Sequence, residues 1–136
     1  MNIDRYKSDH VTIIRMVTDL KKLIAANVEA HAADIAQRIV SFSSTIKLHL
    51  AVEDQVLYPA LRRNESAQIA HLAQRYQHEM GPIATDFSSF ARRWNTERRI
   101  RESPEGMRQE ALTILDRIHR RIQQENRELY PLAEQT

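Results

Sequence analysis

The sequence predicts an all-α protein, four helices packed up-down-up-down as a bundle. Three observations carry this expectation. The chain has 136 residues but only two Gly and four Pro, so few positions break a helix. Apolar residues recur in steps of three and four along most of the length. The connections between those segments are short, which makes sequential helices antiparallel neighbours. A single domain over residues 1–136 is expected, with enough chain to build a core.

The first helix is expected from about residues 4–8 to residue 26. His10, Ile14, Val17, Leu20 and Ile24 recur at helical spacing, so His10 lies on the inward stripe near the helix start. The second helix is expected over residues 34–61. Its stripe runs Ile35, Ile39, Phe42, Ile46, His49, Glu53 and then Val56 or Leu57, an a/d pattern that puts His49 and Glu53 in the core. A buried Glu is costly unless it is paired or metal-bound. His31 falls in the first turn and reads as a surface residue.

Asn64 is the expected N-cap of a third helix running to about residue 95. His71 and His78 share a face but lie roughly 10 Å apart along the axis, so only one can join a given site. Gly81-Pro82 interrupts this helix just beyond His78, because Pro82 has no N–H for the carbonyl of residue 78. The apolar register is expected to step from 78 to 83 there, then continue through Phe87, Phe90 and Trp94. The segment RRWNTERRIR, residues 92–101, is basic. With no aromatic stacking pattern beside it and a small overall charge, it reads as a solvated helix end and loop rather than a nucleic-acid surface. Ser103-Pro104-Glu105 opens the fourth helix with a cap, a proline and an acid at the positive end of the dipole. Met107, Ala111, Ile114, Ile118, Arg121 and Glu125 form its stripe. His119, two residues before Arg121, points about 200° away from it.

Composition excludes several kinds of protein. Zero Cys removes disulfides, thiolate zinc sites and Cys-held iron–sulfur clusters. The start MNIDRYKSDH has no apolar run, so neither a leader nor a membrane span is expected, and the cytoplasm is the default location. The net charge of +2 is small, so neither nucleic acid nor membrane is an expected partner. No glycine-rich phosphate loop and no G-x-S-x-G elbow is present.

The chemistry concentrates in an internal echo. Residues 47–61 read KLHLAVEDQVLYPAL and residues 119–133 read HRRIQQENRELYPLA. Glu53 falls on Glu125, Leu57 on Leu129, Tyr58 on Tyr130 and Pro59 on Pro131, while His49 falls on Arg121. In each copy the Glu and the residue four before it share a helix face, as H-x-x-x-E requires if both are to reach one metal ion. In an antiparallel bundle His10, His49, Glu53, His78 and Glu125 all lie toward one end. Singly, each reads as a satisfied core residue; together they place five metal-capable side chains from four helices at one level.

This pattern resembles the hemerythrin-like family, also called the HHE cation-binding domain. The resemblance covers essentially the whole chain: a D-H near the start, H-x-x-x-E followed by L-Y-P, a lone His in the third helix, and a closing E-x-x-x-L-Y-P. It implies a four-helix bundle around a non-haem di-iron centre, with bridging carboxylates and capping histidines. Carried over, His10, His49, Glu53, His78 and Glu125 match metal-ligand positions. The closing motif of the family usually has a His where this chain has Arg121. Its invertebrate oxygen carriers have a second third-helix His where this chain has Gln74 or Pro82, so the chain is a poor match to an oxygen carrier.

Arg121 cannot ligate a metal, because it has donors only and stays protonated. At 5 Å and an effective dielectric of 20 it would repel a divalent ion by roughly 6–7 kcal/mol. Three occupancies follow: one metal held mainly by imidazoles and Glu53, an asymmetric di-iron centre with Arg121 swung away, or a metal-free His/Glu/Arg network. The ligand types suit iron, manganese or zinc, and the family favours iron, one ion or two. An open position on ferrous iron would take O2 or NO, which points to sensing, scavenging or iron handling rather than to a defined enzyme activity. The competing class is an interaction or regulatory module whose polar core is a relic.

Overall fold

In the computed structural model, which describes residues 1–136, every regular element is helical. Helix α1 spans Asp4–Ala26. Helix α2 covers residues 32–62 as one rod: Ala32–Val52, a π-helical turn at Glu53–Leu57, then Tyr58–Arg62. Helix α3 is Ala67–Trp94 and α4 is the short Glu97–Glu102. Helix α5 covers residues 104–134 with the same grammar as α2: Pro104–Gln124, a π turn at Glu125–Leu129, then Tyr130–Glu134. Helices α1, α2, α3 and α5 pack as a ring, each against the next and α5 back against α1, while α4 closes one end.

The two π turns have a common cause. Pro59 and Pro131 lack the N–H that would continue an α ladder, and the proline ring crowds the carbonyl four residues back. The chain accommodates this one turn earlier. Tyr58 N–H bonds to the Glu53 carbonyl and Tyr130 N–H to the Glu125 carbonyl, each five residues back. The bulge lets Glu53, Leu57 and Tyr58 all bury, and likewise Glu125, Leu129 and Tyr130. Val56 stays exposed.

The inward stripes of α1, α2 and α5 follow the expected spacing, with Ile13 buried where Ile14 is only partly so. The apolar core falls into two clusters. One holds residues from Ile13 to Ile122, and the smaller one holds Ile3, Tyr6, Leu57, Tyr58, Leu61, Ala73, Tyr76, Leu129, Tyr130 and Ala133. Between them lie the buried polar residues of the molecule: His10, His49, Glu53, Arg121 and Glu125. A charged layer inside a core costs several kcal/mol per ion unless it is compensated there.

Three expectations are corrected. Ser66, not Asn64, caps α3: its Oγ accepts from Ile69 N–H, while Asn64 Oδ1 accepts from Ser66 N–H. The basic segment is not a loop but contains α4, with its arginines tied down by the pairs Arg98–Glu102, Arg101–Glu97 and Arg93–Glu110. Helix α3 runs through Pro82 to Trp94 as expected, but its inward residues are Ala73, Tyr76, Ile83, Phe87, Phe90 and Trp94. That register does not pass through His78, which is exposed. His78 follows Tyr76 by two residues, about 200° around the helix, and so faces solvent.

Candidate metal centre

Helix α1 delivers His10, α2 delivers His49 and Glu53, and α5 delivers Glu125. All four are buried, and one ligand atom from each lies within 4.8 Å of all the others. His49 Nε2 is 3.3 Å from Glu53 Oε1, and His10 Nε2 is 3.3 Å from Glu125 Oε1. Four of the five residues expected in the site are therefore brought together. His78 is not among them, and α3 supplies no imidazole or carboxylate to the cluster.

The histidines are held by their far nitrogens. His49 Nδ1 is 3.0 Å from Asp9 Oδ2. The carboxylate only accepts, so Nδ1–H donates and Nε2 faces the cluster. His10 Nδ1 meets Asn126 Oδ1 at 2.7 Å and is turned the same way. Neither Asp9 nor Asn126 was singled out by the sequence as a site residue, although Asp9 belongs to the D-H pair noted there. It orients the imidazole of the neighbouring helix, not that of His10.

The carboxylates are held by tyrosines, and the pairing crosses between the two copies of the echo. Tyr58 O–H donates to Glu125 Oε2 at 2.7 Å, and Tyr130 O–H donates to Glu53 Oε2 at 2.8 Å. Burial, reinforced by the two nearby carboxylate charges, pushes both phenols well above the usual tyrosine range, so they remain donors. Each Glu thus has one oxygen occupied and the other turned to the centre. Tyr130 O–H also lies 2.9 Å from His10 Nε2, and the two rings stack at 4.6 Å. The signal for these tyrosines was the L-Y-P repeat itself.

Burial and the charge of Glu125 raise the Glu53 pKa above the ordinary carboxylate value. For Glu125 burial acts in the same direction but is outweighed by the His10 hydrogen bond and charge and by Arg121, so its pKa is lowered. Burial disfavours a charged His49, yet Glu53 and Asp9 outweigh it and raise the imidazole to about 9. A metal binding at Nε2 must displace that proton.

Arg121 projects inward as the echo implies, and it is 4% exposed. It does not pair with Glu125. Its guanidinium turns to α3 instead: Nη2 donates to the Tyr76 carbonyl and lies 3.5 Å from Tyr58 Oη, and Nη1 is 3.6 Å from Glu79. The group stacks on the Tyr76 ring at 4.2 Å.

The donor set fits a metal. In a core where buried polar atoms are paired almost without exception, three side-chain atoms have no hydrogen-bond partner: His49 Nε2, Glu53 Oε1 and Arg121 Nε. The first two face each other inside the four-donor cluster, and two imidazoles with two carboxylates form a borderline-hard shell suited to iron, manganese or zinc. No helix is long and apolar enough to cross a membrane. No curated protein and no solved structure matches the chain. The family described as hemerythrin HHE cation-binding domain does match, over residues 1–133. Its span takes in the three helices that build the cluster, and the chain belongs to the hemerythrin HHE cation-binding domain family.

Proposed function

We propose that the protein holds one transition-metal ion, iron by preference, between His10, His49, Glu53 and Glu125. The observation that supports this reading most is the pair of orphaned buried atoms, His49 Nε2 and Glu53 Oε1, within a cluster of four donors. Four protein donors suffice for a single ion. A second ion would find no imidazole from α3, and it would find the positive charge of Arg121 in place of one from α5. Ferrous iron bound here would supply one-electron redox chemistry and a coordination position for O2 or NO, which supports a role in sensing, scavenging or iron handling. The chain's own residues set the stage. Asp9 and Asn126 fix the imidazole tautomers, Tyr58 and Tyr130 fix the carboxylates, and the apolar clusters on either side exclude water.

The test is elemental analysis of protein purified without a metal-affinity tag and reconstituted anaerobically with ferrous iron. About one equivalent per chain is expected. His49→Ala should remove most of it, while His31→Ala, His78→Ala and His119→Ala should not. Two equivalents in the wild type would favour the asymmetric di-iron centre. Less than about a tenth of an equivalent, not recovered on reconstitution, would sink the metal reading. The protein would then be a metal-free regulatory module with a His/Glu/Arg layer in its core.

A further inference from the structure

Helix α2 carries an almost uncharged face that no other element covers. Val40, Leu48 and Val56, each more than half exposed, are three of the six large apolar side chains left in solvent. The exposed residues between them are Ser41, Ser44, Ala51 and Gln55, with only two charges, Lys47 and Asp54. The neighbouring helix α1 differs, with Asp4, Arg5, Lys7, Arg15 and Lys22 in solvent. The strip on α2 is about 25 Å long at 1.5 Å per residue. Contiguous exposed apolar surface of this kind marks a place where something binds.

The two charges decide what binds. Lys47 and Asp54 are seven residues apart, so they lie on one flank of the strip and roughly 10 Å apart along the axis. Both line the groove between α2 and α3. Many exposed charges of the chain sit in ion pairs such as Arg98–Glu102 and Arg117–Asp86. Lys47 and Asp54 sit in none, and the Asp54 carboxylate accepts only from Gln77 Nε2, at 2.9 Å. The α3 wall of the groove, Gln77, Gly81, Ala84 and Ser88, is uncharged as well.

Two-fold symmetry turns this spacing into complementarity. Consider two α2 helices laid antiparallel about an axis that passes between Leu50 and Ala51. Lys47 then comes level with the partner's Asp54 on the same flank, and the pair occurs twice. Leu48 comes level with the gap between the partner's Ala51 and the partner's Gln55. Val56 comes level with the gap between the partner's Ser44 and the partner's Leu48. The small side chain of Ala51 near the centre lets the two axes approach closely. A parallel arrangement would set each charge against its own copy and is disfavoured.

We propose that the outer face of α2 binds a second copy of this chain, antiparallel and two-fold, with Lys47 and Asp54 pairing reciprocally across the interface. The contact is one helix wide, at the small end of specific interfaces, and so gives a weak, concentration-dependent dimer. It leaves the four-donor cluster inside each copy and does not depend on the metal reading.

The test is sedimentation equilibrium on the full chain, from about 1 μM to about 1 mM. Wild type should pass from monomer to dimer within that range. Leu48→Glu, which puts two like charges near the centre of the interface, should be monomeric throughout. Lys47→Asp and Asp54→Lys each turn two attractive pairs into two repulsive ones and should weaken the dimer at least about tenfold. The swap Lys47→Asp/Asp54→Lys restores both pairs and should recover most of that loss. All these changes fall on exposed residues, and circular dichroism checks the helix content before association is measured. A wild type that stays monomeric at about 1 mM would overturn the proposal and leave the face to a different protein. A dimer unmoved by Leu48→Glu would overturn it too, because the contact would lie elsewhere. So would a double swap no tighter than either single change, because the two charges would then not meet.

Discussion

At the scale of single residues, the groups that hold the site are as informative as the groups that form it. Asp9 is half-exposed and contributes no atom to the four-donor cluster, yet its carboxylate fixes which His49 nitrogen faces inward. Partners of this kind are typically worth 10- to 100-fold in metal affinity. Asp9→Ala should therefore weaken metal binding by about that factor and also cost about 1–3 kcal/mol of stability, since it leaves the Nδ1–H of the buried His49 without its acceptor. Competition against a chromophoric chelator gives the first quantity and a thermal melt the second. Unchanged affinity would reduce Asp9 to an ordinary surface carboxylate. The sequence made His10, His49, Glu53 and Glu125 legible, because polar residues on an otherwise apolar stripe stand out. It did not disclose Asp9 or Asn126. An exposed or half-exposed polar residue on a helix flank looks the same whether or not an imidazole lies behind it. Tyr58 and Tyr130 were visible as a repeat, but their crossed bonds to Glu125 and Glu53 depend on how two helices meet, which no local pattern encodes.

At the scale of elements, the third helix shows how a register is lost. His78 was expected to face inward because the apolar register was carried back from Ile83, Phe87, Phe90 and Trp94 across the proline to position 78. Tyr76, Ile83, Phe87, Phe90 and Trp94 keep an inward stripe that bypasses it. Gly81-Pro82 opens the ladder inside a helix that continues to Trp94, as expected. Gly81 lacks the Cβ that would crowd the proline ring in a helical conformation, and the helix carries on with one hydrogen bond fewer. Proline there costs stability without positioning any cluster residue. Pro82→Ala should raise stability by about 1–3 kcal/mol, restoring a donor to the His78 carbonyl, and should leave metal content and affinity unchanged. The measurement pairs a circular-dichroism melt with metal analysis. A more stable protein that binds metal less well would mean that the kink shapes the site after all. The π turns were likewise not foreseen, although proline at the same place in both copies of the echo was the cue. A proline usually announces the end of a helix, and only the packing of Leu57, Tyr58, Leu129 and Tyr130 on the inside makes continuation worthwhile here.

At the scale of the whole molecule, the echo between α2 and α5 gives a nearly two-fold arrangement in which each half supplies a Glu and a Tyr. The symmetry breaks at His49 and Arg121, and again because α1 provides His10 while α3 provides Tyr76 near the corresponding place. Both departures fall on the same side of the cluster: the Arg121 guanidinium lies 4.2 Å over the Tyr76 ring and bonds the Tyr76 carbonyl. Arg121 and Tyr76 thus form one unit that joins α3 to α5 where a second ion's imidazoles would otherwise be. If that unit is what limits the site to one ion, replacing both halves should relieve the limit. Arg121→His/Tyr76→His removes a buried positive charge and offers two neutral nitrogens where the Arg121–Tyr76 unit now sits. The count should rise from about one metal per chain toward two. Arg121→His alone still lacks a donor from α3 and should stay nearer one. The double variant loses the Tyr76 O–H contact to the Gln124 carbonyl and part of a buried ring, a cost of about 2 kcal/mol, so its fold is checked by a melt before its metal is counted. A folded double variant that still holds one ion would show that the missing imidazoles do not set the stoichiometry. The limit would then lie in the spacing of Glu53 and Glu125 themselves.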